Sequence, residues 1–248
     1  LSRPLSHHTP SFSSALTSLP KKNAYKFGEI DERVRLLQRE LWKNRQSLWS
    51  DNVPEDPVDA LDPTIAMRIL GFELKLQEGL GKHQTSQGRI EIAGIIDGST
   101  KTVHISRQHD HNVRAFTSAH ELGHAALHDF RVALHRDKPL EGSAPSRDPI
   151  EREADRFATC FLMPEKLMRQ RFQDTFKSDH FQLTDETAFA LTHSDLLSVR
   201  RKFSTRRKLA RLLAKTDQYD GKRFPSLAQQ FKVSIETMAI RLEELQLL

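Results

Sequence analysis

The stretch Thr117-Ser118-Ala119-His120-Glu121-Leu122-Gly123-His124 places two histidines four residues apart, with a glutamate directly after the first. Apolar or small residues recur around it at roughly helical spacing, without an interrupting proline, at Val113, Phe116, Ala119, Gly123, Leu127 and Phe130. Positions i and i+4 share one face of a helix, so His120 and His124 are predicted to bind one metal ion. Glu121 is then placed to accept a proton from the attacking water. The chain has 12 histidines, so a chance match is the alternative, but the helical context favours a metal site.

A zinc site of this type needs a third protein ligand, and a second apolar helix predicted at residues 150–162 supplies the candidates. Glu151 and Asp155 are four residues apart and therefore share a face of that helix. We assign Glu151 as the third ligand and Asp155 as the acceptor that fixes the tautomer of a ligand histidine. Glu153, two residues from Glu151, is expected to point away from both, as a solvated or capping residue. A solvated acidic helix start is the alternative for this segment, and the pairing of two motifs argues against it.

The paired motifs resemble the ImmA/IrrE metallopeptidases, in which the stretches from His120 to His128 and from Glu151 to Pro164 find counterparts. Residues 95–97 and 103–106 fit the strands before that family's active-site helix, and the resemblance extends over about residues 62–248. It implies an α+β fold, in which a zincin-like metallopeptidase core precedes a helical, helix-turn-helix-like C-terminal region. In that core a small antiparallel sheet packs on the HExxH helix. The resemblance also implies an endopeptidase whose substrate is a helix-turn-helix transcriptional repressor, cleaved to relieve repression.

The chain is predicted to divide into a disordered tail at residues 1–30, a zinc metallopeptidase core at 31–165 and a helical, helix-turn-helix-like region at 166–248. The tail is rich in Ser, Pro and His and lacks periodicity. Asp31 is a plausible N-cap for the first helix.

Strand patterns precede the histidine motif. Residues 72–76 are predicted to form one strand, and residues 89–96 and 101–107 an antiparallel hairpin around a turn at 97–100. An edge strand of this sheet is expected to hold an extended peptide.

The C-terminal region combines a basic helical segment with a helix-turn-helix pattern. Residues 184–215 are predicted to be helical, with bases at Arg200, Arg201, Lys202, Arg206, Arg207, Lys208 and Arg211. A solvated face is favoured over a nucleic-acid or acidic-partner surface, because only Phe203 interleaves with the bases. In residues 224–245 Ser234 caps the second helix, which opens with Ile235 and Glu236, a poor set for reading DNA. A structural or docking role is therefore favoured over direct DNA binding.

Composition excludes several classes of protein. The 38 Lys and Arg residues nearly balance 33 Asp and Glu, so the net charge of +5 does not by itself indicate nucleic-acid binding. Cys160 is the single cysteine, which rules out an internal disulfide and favours packing in a helix. No run is long enough to span a membrane, and the N-terminus lacks the apolar segment of a signal peptide. We expect a cytoplasmic protein without a membrane partner.

The predicted reaction is peptide hydrolysis with one zinc ion per chain, held by His120, His124 and Glu151, and with Glu121 as the proton acceptor. Candidates for a further oxyanion donor are Tyr25, His104 and His193. His128 lies about 12 Å beyond His120 along a helix and is not predicted to be a ligand. One alternative is a DNA-binding transcription regulator or a toxin–antitoxin partner module with a vestigial metal site, against which the complete ligand set argues. Another is a non-haem iron oxygenase, which also uses two histidines and a carboxylate. The oligomeric state is left open.

Overall fold

The computed structural model describes residues 20–22, 24–85, 88–129, 135–136 and 148–248. Within them the helices are α1 (Phe27–Lys43), α2 (Arg45–Leu48), α3 (Pro63–Ile69), α4 (His111–Leu127), α5 (Pro149–Leu162), α6 (Glu165–Phe176), α7 (Asp185–Thr192), α8 (Leu196–Lys202), α9 (Arg206–Lys215), α10 (Leu227–Gln230) and α11 (Ile235–Glu244). The strands are β1 (Glu73–Gln77), β2 (Lys82–Thr85), β3 (Gly88–Glu91), β4 (Gly94–Asp97), β5 (Thr102–Ser106), β6 (His135–Arg136), β7 (Gln218–Tyr219) and β8 (Lys222–Arg223). Together they form the predicted α+β fold. None of the helices described combines the length and apolar character that crossing a membrane requires.

The main sheet has the order β1-β5-β4-β6, and its centre is the predicted hairpin of β4 and β5. In the turn, Asp97 accepts hydrogen bonds from the hydroxyl and amide of Ser99 and from the amide of Thr100. Hydrogen bonding by Ser99 and then Thr100 lowers the pKa of Asp97 to about 2. The expectation of an antiparallel sheet needs one correction, because β1 pairs with β5 in parallel. The chain forms β2, β3 and β4 between β1 and β5. This long connection allows β5 to run in the same direction as β1.

The first arm of the predicted hairpin is also shorter than expected. Residues 89–96 do not form one strand, because β3 pairs with β2 in a separate ribbon while β4 joins the main sheet. The change occurs at Ile92 and Ala93, whose backbone groups bond to different partners. The amide of Ile92 donates to the carbonyl of Gly81, and the carbonyl of Ala93 accepts from the amide of Ser106.

Helices α4 and α5 pack against each other, and α1 covers α5 from another side. The apolar face of α1 is fully buried through Ile30, Val34, Leu37 and Leu41. Asp31 is not the N-cap of this helix, contrary to the prediction, because the helix begins after Lys26. Asp31 instead binds the guanidinium of Arg156 on α5 at 2.6 and 2.9 Å. The start of α1 and the buried Tyr25 lie within the span predicted to be a disordered tail, whose residues 1–19 are outside the described part of the chain.

The predicted basic helical segment at 184–215 consists of three helices, α7, α8 and α9. Two of its bases have partners on α11. Arg207 binds both Glu236 and Glu243, and Arg211 binds Glu236. Hydrogen bonds from Arg211 outweigh the effect of burial and lower the pKa of Glu236. These ion pairs join α9 to the helix that a DNA reader would insert into the groove.

The helix-turn-helix pattern is present as α10 and α11. Lys232 makes the turn with φ of 55°, and the hydroxyl of Ser234 accepts the amide of Thr237 at 3.0 Å, as expected of a cap. Arg241 of α11 is 2% exposed and donates to the carbonyl of Met163, just after α5. One hydrophobic core therefore extends across the predicted boundary at 165/166, which falls at the start of α6.

Candidate metal centre

Helix α4 brings His120 and His124 onto one face, and α5 delivers Glu151 to the same point. The Nε2 atoms of the two histidines are 2.9 Å apart, and Glu151 oxygens lie 3.2 Å from His120 Nε2 and 3.6 Å from His124 Nε2. Both imidazoles are fully buried, whereas the Glu151 side chain is 18% exposed. The structure thus assembles the three predicted ligands into a group with one accessible side.

The chemistry and spacing of these donors fit a divalent metal ion. One donor atom from each residue lies within 4.8 Å of the others. Ligands about 2.0–2.2 Å from a tetrahedral zinc would be roughly 3.3–3.6 Å apart. The measured separations lie close to this range, and two imidazoles with one carboxylate are a common catalytic zinc set. The group can therefore bind a metal ion through His120 Nε2, His124 Nε2 and a Glu151 oxygen.

The approach of α5 to α4 depends on Gly123, which lies between the two histidine turns. A Cβ at this position would be 3.0 Å from Cα, and equally from the carbonyl oxygen, of Ala154, and 3.0 Å from Cβ of Phe157. The absence of a side chain lets the two backbones come into contact. That contact places Glu151 opposite the histidines.

Asp155 lies beside His120, in the contact that its predicted role requires. Its Oδ1 lies 2.9 Å from Nδ1 of His120, so a neutral His120 donates its Nδ1 proton to the carboxylate. Nε2 of the ring then keeps a lone pair for a metal ion. The carboxylate is thus placed to fix the orientation and tautomer of the ring.

Glu121 follows His120 on α4 and is fully buried. It abuts β4, because a Cβ at Gly94 would lie 2.7 Å from Glu121 Oε1 and 2.8 Å from Cγ2 of Thr117. Only a glycine allows the strand to pass this close to the carboxylate. Strand β4 therefore confines the side chain that the sequence assigns as proton acceptor.

The prediction for Glu153 is wrong, because this residue is buried rather than solvated. It is 5% exposed, and its Oε2 lies 3.0 Å from Nε2 of His128, while its Oε1 accepts the amide of Tyr25 at 2.9 Å. His128 lies outside the three-donor group, and its Nδ1 is 3.1 Å from Nδ1 of His124. One sequence signal could have indicated this contact. His128 follows His124 by four residues, the same spacing that joins His120 to His124.

The three candidate oxyanion donors lie in different parts of the fold. The hydroxyl of Tyr25 donates to the carbonyl of Leu127 at 2.8 Å. His104 is in β5, on the sheet face opposite Val103 and Ile105. His193 ends α7 and packs edge-on against the ring of Phe189. The structure therefore gives no ground for assigning an oxyanion role to any of them.

Cys160 is buried, as expected, and its thiol donates to Asp31 at 3.3 Å. Burial is the main cause that raises the pKa of this thiol, to about 12. A thiol in this state is a poor nucleophile near neutral pH.

A protein-family model matches part of the chain. Residues 66–188 match the family model described as Peptidase_M78, IrrE N-terminal-like domain. No curated protein and no solved structure matches the chain. The matched residues include α4 and α5, and therefore the whole three-donor group. The match identifies residues 66–188 as an IrrE N-terminal-like peptidase domain, and it supports the ImmA/IrrE assignment that the paired motifs predicted.

Proposed function

We propose that this protein is a zinc-dependent endopeptidase that cleaves a helix-turn-helix transcriptional repressor in the cytoplasm. The observation that carries the proposal is the convergence of His120, His124 and Glu151, with Glu121 directly beside His120 on the same helix. The peptidase family supports hydrolysis, and the donor set supports a metal-assisted form of it. One ion per chain is expected, because these residues form a single group.

When bound, zinc would lower the pKa of a water molecule and polarise the scissile carbonyl. Glu121 accepts a proton from the attacking water and later passes it to the leaving amine. Asp155 keeps the Nδ1 proton of His120 in place, so that Nε2 stays free to act as a ligand. The burial of both histidines and of Glu121 limits competing contacts with bulk water.

The repressor is the substrate suggested by the resemblance to ImmA/IrrE metallopeptidases. An extended segment of such a substrate would bind along the edge of the main sheet by backbone hydrogen bonds. The suitable edge is the β6 side of the sheet, since β4, the next strand inward, abuts Glu121. In the described residues β6 pairs with only Ile95 and Ile96 of that strand.

The first test compares Glu121→Gln with the wild type. Gln has nearly the same shape but cannot accept the proton, so the variant should bind metal normally and lose proteolysis. The measurement is cleavage of a repressor encoded beside the gene, coexpressed with each variant, together with metal content of the purified proteins. Glu165→Gln, the same change at an exposed position, is the matched control and should cleave normally.

Four results would count against the proposal. Wild-type cleavage by Glu121→Gln would remove Glu121 from the mechanism. Full metal content in His120→Ala or Glu151→Ala would remove the ligand assignment. Rapid turnover of casein would contradict a narrow specificity, and sequence-specific DNA binding by the intact protein without cleavage would favour a transcription regulator.

A further inference from the structure

A chain of three hydrogen bonds leads away from the metal centre on the side of His124. Nδ1 of His124 lies 3.1 Å from Nδ1 of His128, and Nε2 of His128 lies 3.0 Å from Oε2 of Glu153. Oε1 of Glu153 accepts the backbone amide of Tyr25 at 2.9 Å. His128, Glu153 and Tyr25 are 4%, 5% and 8% exposed, so each of these bonds is made away from water.

The direction of these bonds follows from their two ends. A backbone amide can only donate, so Glu153 accepts from Tyr25. At the other end, Nε2 of His124 needs a lone pair to bind a metal ion, which places the proton of the neutral ring on Nδ1. His128 must then accept on Nδ1 and donate from Nε2 to Glu153. Each neutral histidine has one donor and one acceptor nitrogen, so in this arrangement each of the three hydrogen bonds joins a donor to an acceptor.

The segment that carries Tyr25 is itself fixed to the end of α4. The hydroxyl of Tyr25 donates to the carbonyl of Leu127, and Arg33 donates to the carbonyl of Ala126 at 3.3 Å. The Arg33 guanidinium also stacks over the Tyr25 ring at 4.9 Å. The last carbonyls of a helix lack partners within it, so these contacts stabilise the helix end that carries His124 and His128.

We propose that His128 and Glu153, held by the amide of Tyr25, are positioning residues that keep His124 in the tautomer required for metal binding. His120 has a direct carboxylate partner in Asp155, whereas His124 reaches Glu153 through a second imidazole. Tyr25 lies before residue 66, where the family match begins. The N-terminal segment is therefore a working part of the metal centre. This inference rests on the proposed metal site.

Glu153→Gln is the sharpest perturbation, because it keeps the shape of the side chain and changes its hydrogen bonding. The amide offers one acceptor and one donor group, whereas Tyr25 and His128 both need an acceptor. If the amide carbonyl faces Tyr25, the amide NH2 group faces the Nε2 proton of His128, and two donors meet. Moving the His128 proton to Nδ1 would relieve this conflict but create the same one at Nδ1 of His124. If it faces His128, the conflict lies at Tyr25. In both cases the series of hydrogen bonds from His124 to Tyr25 loses one bond. It also loses the negative charge that strengthens the series.

The first measurement needs no substitution in the protein under test. A long-range proton–nitrogen correlation spectrum of the zinc-loaded wild-type protein reports which ring nitrogen of each histidine carries a proton. The His128 signals are assigned from their loss in His128→Gln. A neutral His128 protonated on Nε2 is the expected result. Protonation on Nδ1, alone or with Nε2, would overturn the proposal, because His128 could not then accept from His124.

The second measurement is the zinc dissociation constant, determined by competition with a chelator. Glu153→Gln should weaken zinc binding about tenfold or more, in the range typical of residues that orient a metal ligand. The matched control is Asp31→Asn, which also converts a carboxylate between α1 and α5 into an amide but does not touch a histidine of the centre. The control should keep wild-type zinc affinity, even if its thermal stability falls.

The possible failures can be told apart. Equal zinc affinity in Glu153→Gln and the wild type would refute the positioning role of Glu153. It would leave the peptidase proposal unaffected. A wild-type protein that binds no zinc would instead remove the proposed function. If Glu153→Gln does not fold, the spectrum of the wild-type protein still decides the proposal.

Discussion

At the scale of single residues, the hydrogen bond between His120 and Asp155 bears on metal binding. It joins Nδ1 of the ring to a carboxylate oxygen at 2.9 Å, and the Asp155 side chain is 22% exposed. Without the carboxylate the ring could rotate or place its proton on Nε2, where it would block a metal ion. The partner should therefore affect metal binding without being a ligand.

We expect Asp155→Ala to weaken zinc binding roughly 10–100-fold, as is typical for loss of a carboxylate that orients a ligand histidine. Asp155→Asn should lose less, because its carbonyl oxygen can still accept the Nδ1 proton. Chelator competition gives both affinities. Wild-type affinity in Asp155→Ala would show that the carboxylate has no effect on the centre.

Residues of the centre differ in how far local sequence could predict them. His120, His124, Glu151 and Asp155 follow from i, i+4 spacing, because each pair serves one face of one helix. Helical spacing points Glu153 away from Glu151 and Asp155 and predicts a solvated or capping residue there. Glu153 is buried against His128 and the backbone amide of Tyr25, and the bond to Tyr25 spans 128 residues. A local sequence pattern cannot predict a contact between residues so far apart in the sequence.

At the scale of elements, the contact between α4 and α5 depends on Gly123. A methyl group there would meet both backbone and side-chain atoms of α5 at 3.0 Å. The two helices carry all three donors of the centre, so a shift of either helix changes the distances among those donors. Packing and metal binding are therefore coupled at this glycine.

We expect Gly123→Ala to lower the free energy of unfolding by about 1–3 kcal/mol through overpacking, and to weaken zinc binding as well. The matched control is Gly28→Ala in α1, where an added Cβ meets nothing within 4 Å. There the same substitution should be neutral or stabilise by at most about 1 kcal/mol. Denaturant unfolding measures both variants. A Gly123→Ala protein as stable as Gly28→Ala would contradict the close approach.

Strand predictions show a similar limit. The positions of β1, β4 and β5 follow from apolar alternation and from the turn at Asp97. The pairing of these strands does not follow from the sequence, because apolar alternation does not indicate whether a partner strand runs parallel or antiparallel. The parallel pairing of β1 with β5 and the separate β2–β3 ribbon depend on where the intervening chain crosses the sheet.

At the scale of the whole molecule, the C-terminal helices share the core of the peptidase domain. Leu242 of α11 is fully buried, and Arg241 beside it reaches the carbonyl of Met163. Lys232 also binds Asp59 at 2.7 Å, and Arg171 binds Asp56. The predicted division at 165/166 is thus crossed by apolar packing and by ion pairs, and the protein should unfold as a unit.

We expect Leu242→Ala to cost about 2–5 kcal/mol, the usual range for a fully buried leucine, and to shift the unfolding of the N-terminal part equally. Trp42 and Trp49 are the two tryptophans of the chain, and both lie in that part, so their fluorescence reports on it. Ile235→Ala on the same helix is the control, since Ile235 is 43% exposed and should change stability little. A fluorescence transition unchanged by Leu242→Ala would mean that the two regions unfold independently.

The long span between Tyr25 and Glu153 has a consequence for synthesis on the ribosome. His120 and His124 emerge well before Glu151, and the N-terminal segment waits for a partner that is made 128 residues later. The centre is therefore incomplete in every nascent chain that ends before α5. On the proposed mechanism, a growing chain of this kind would not hydrolyse neighbouring proteins, because the third metal ligand, Glu151, is added only after both histidines.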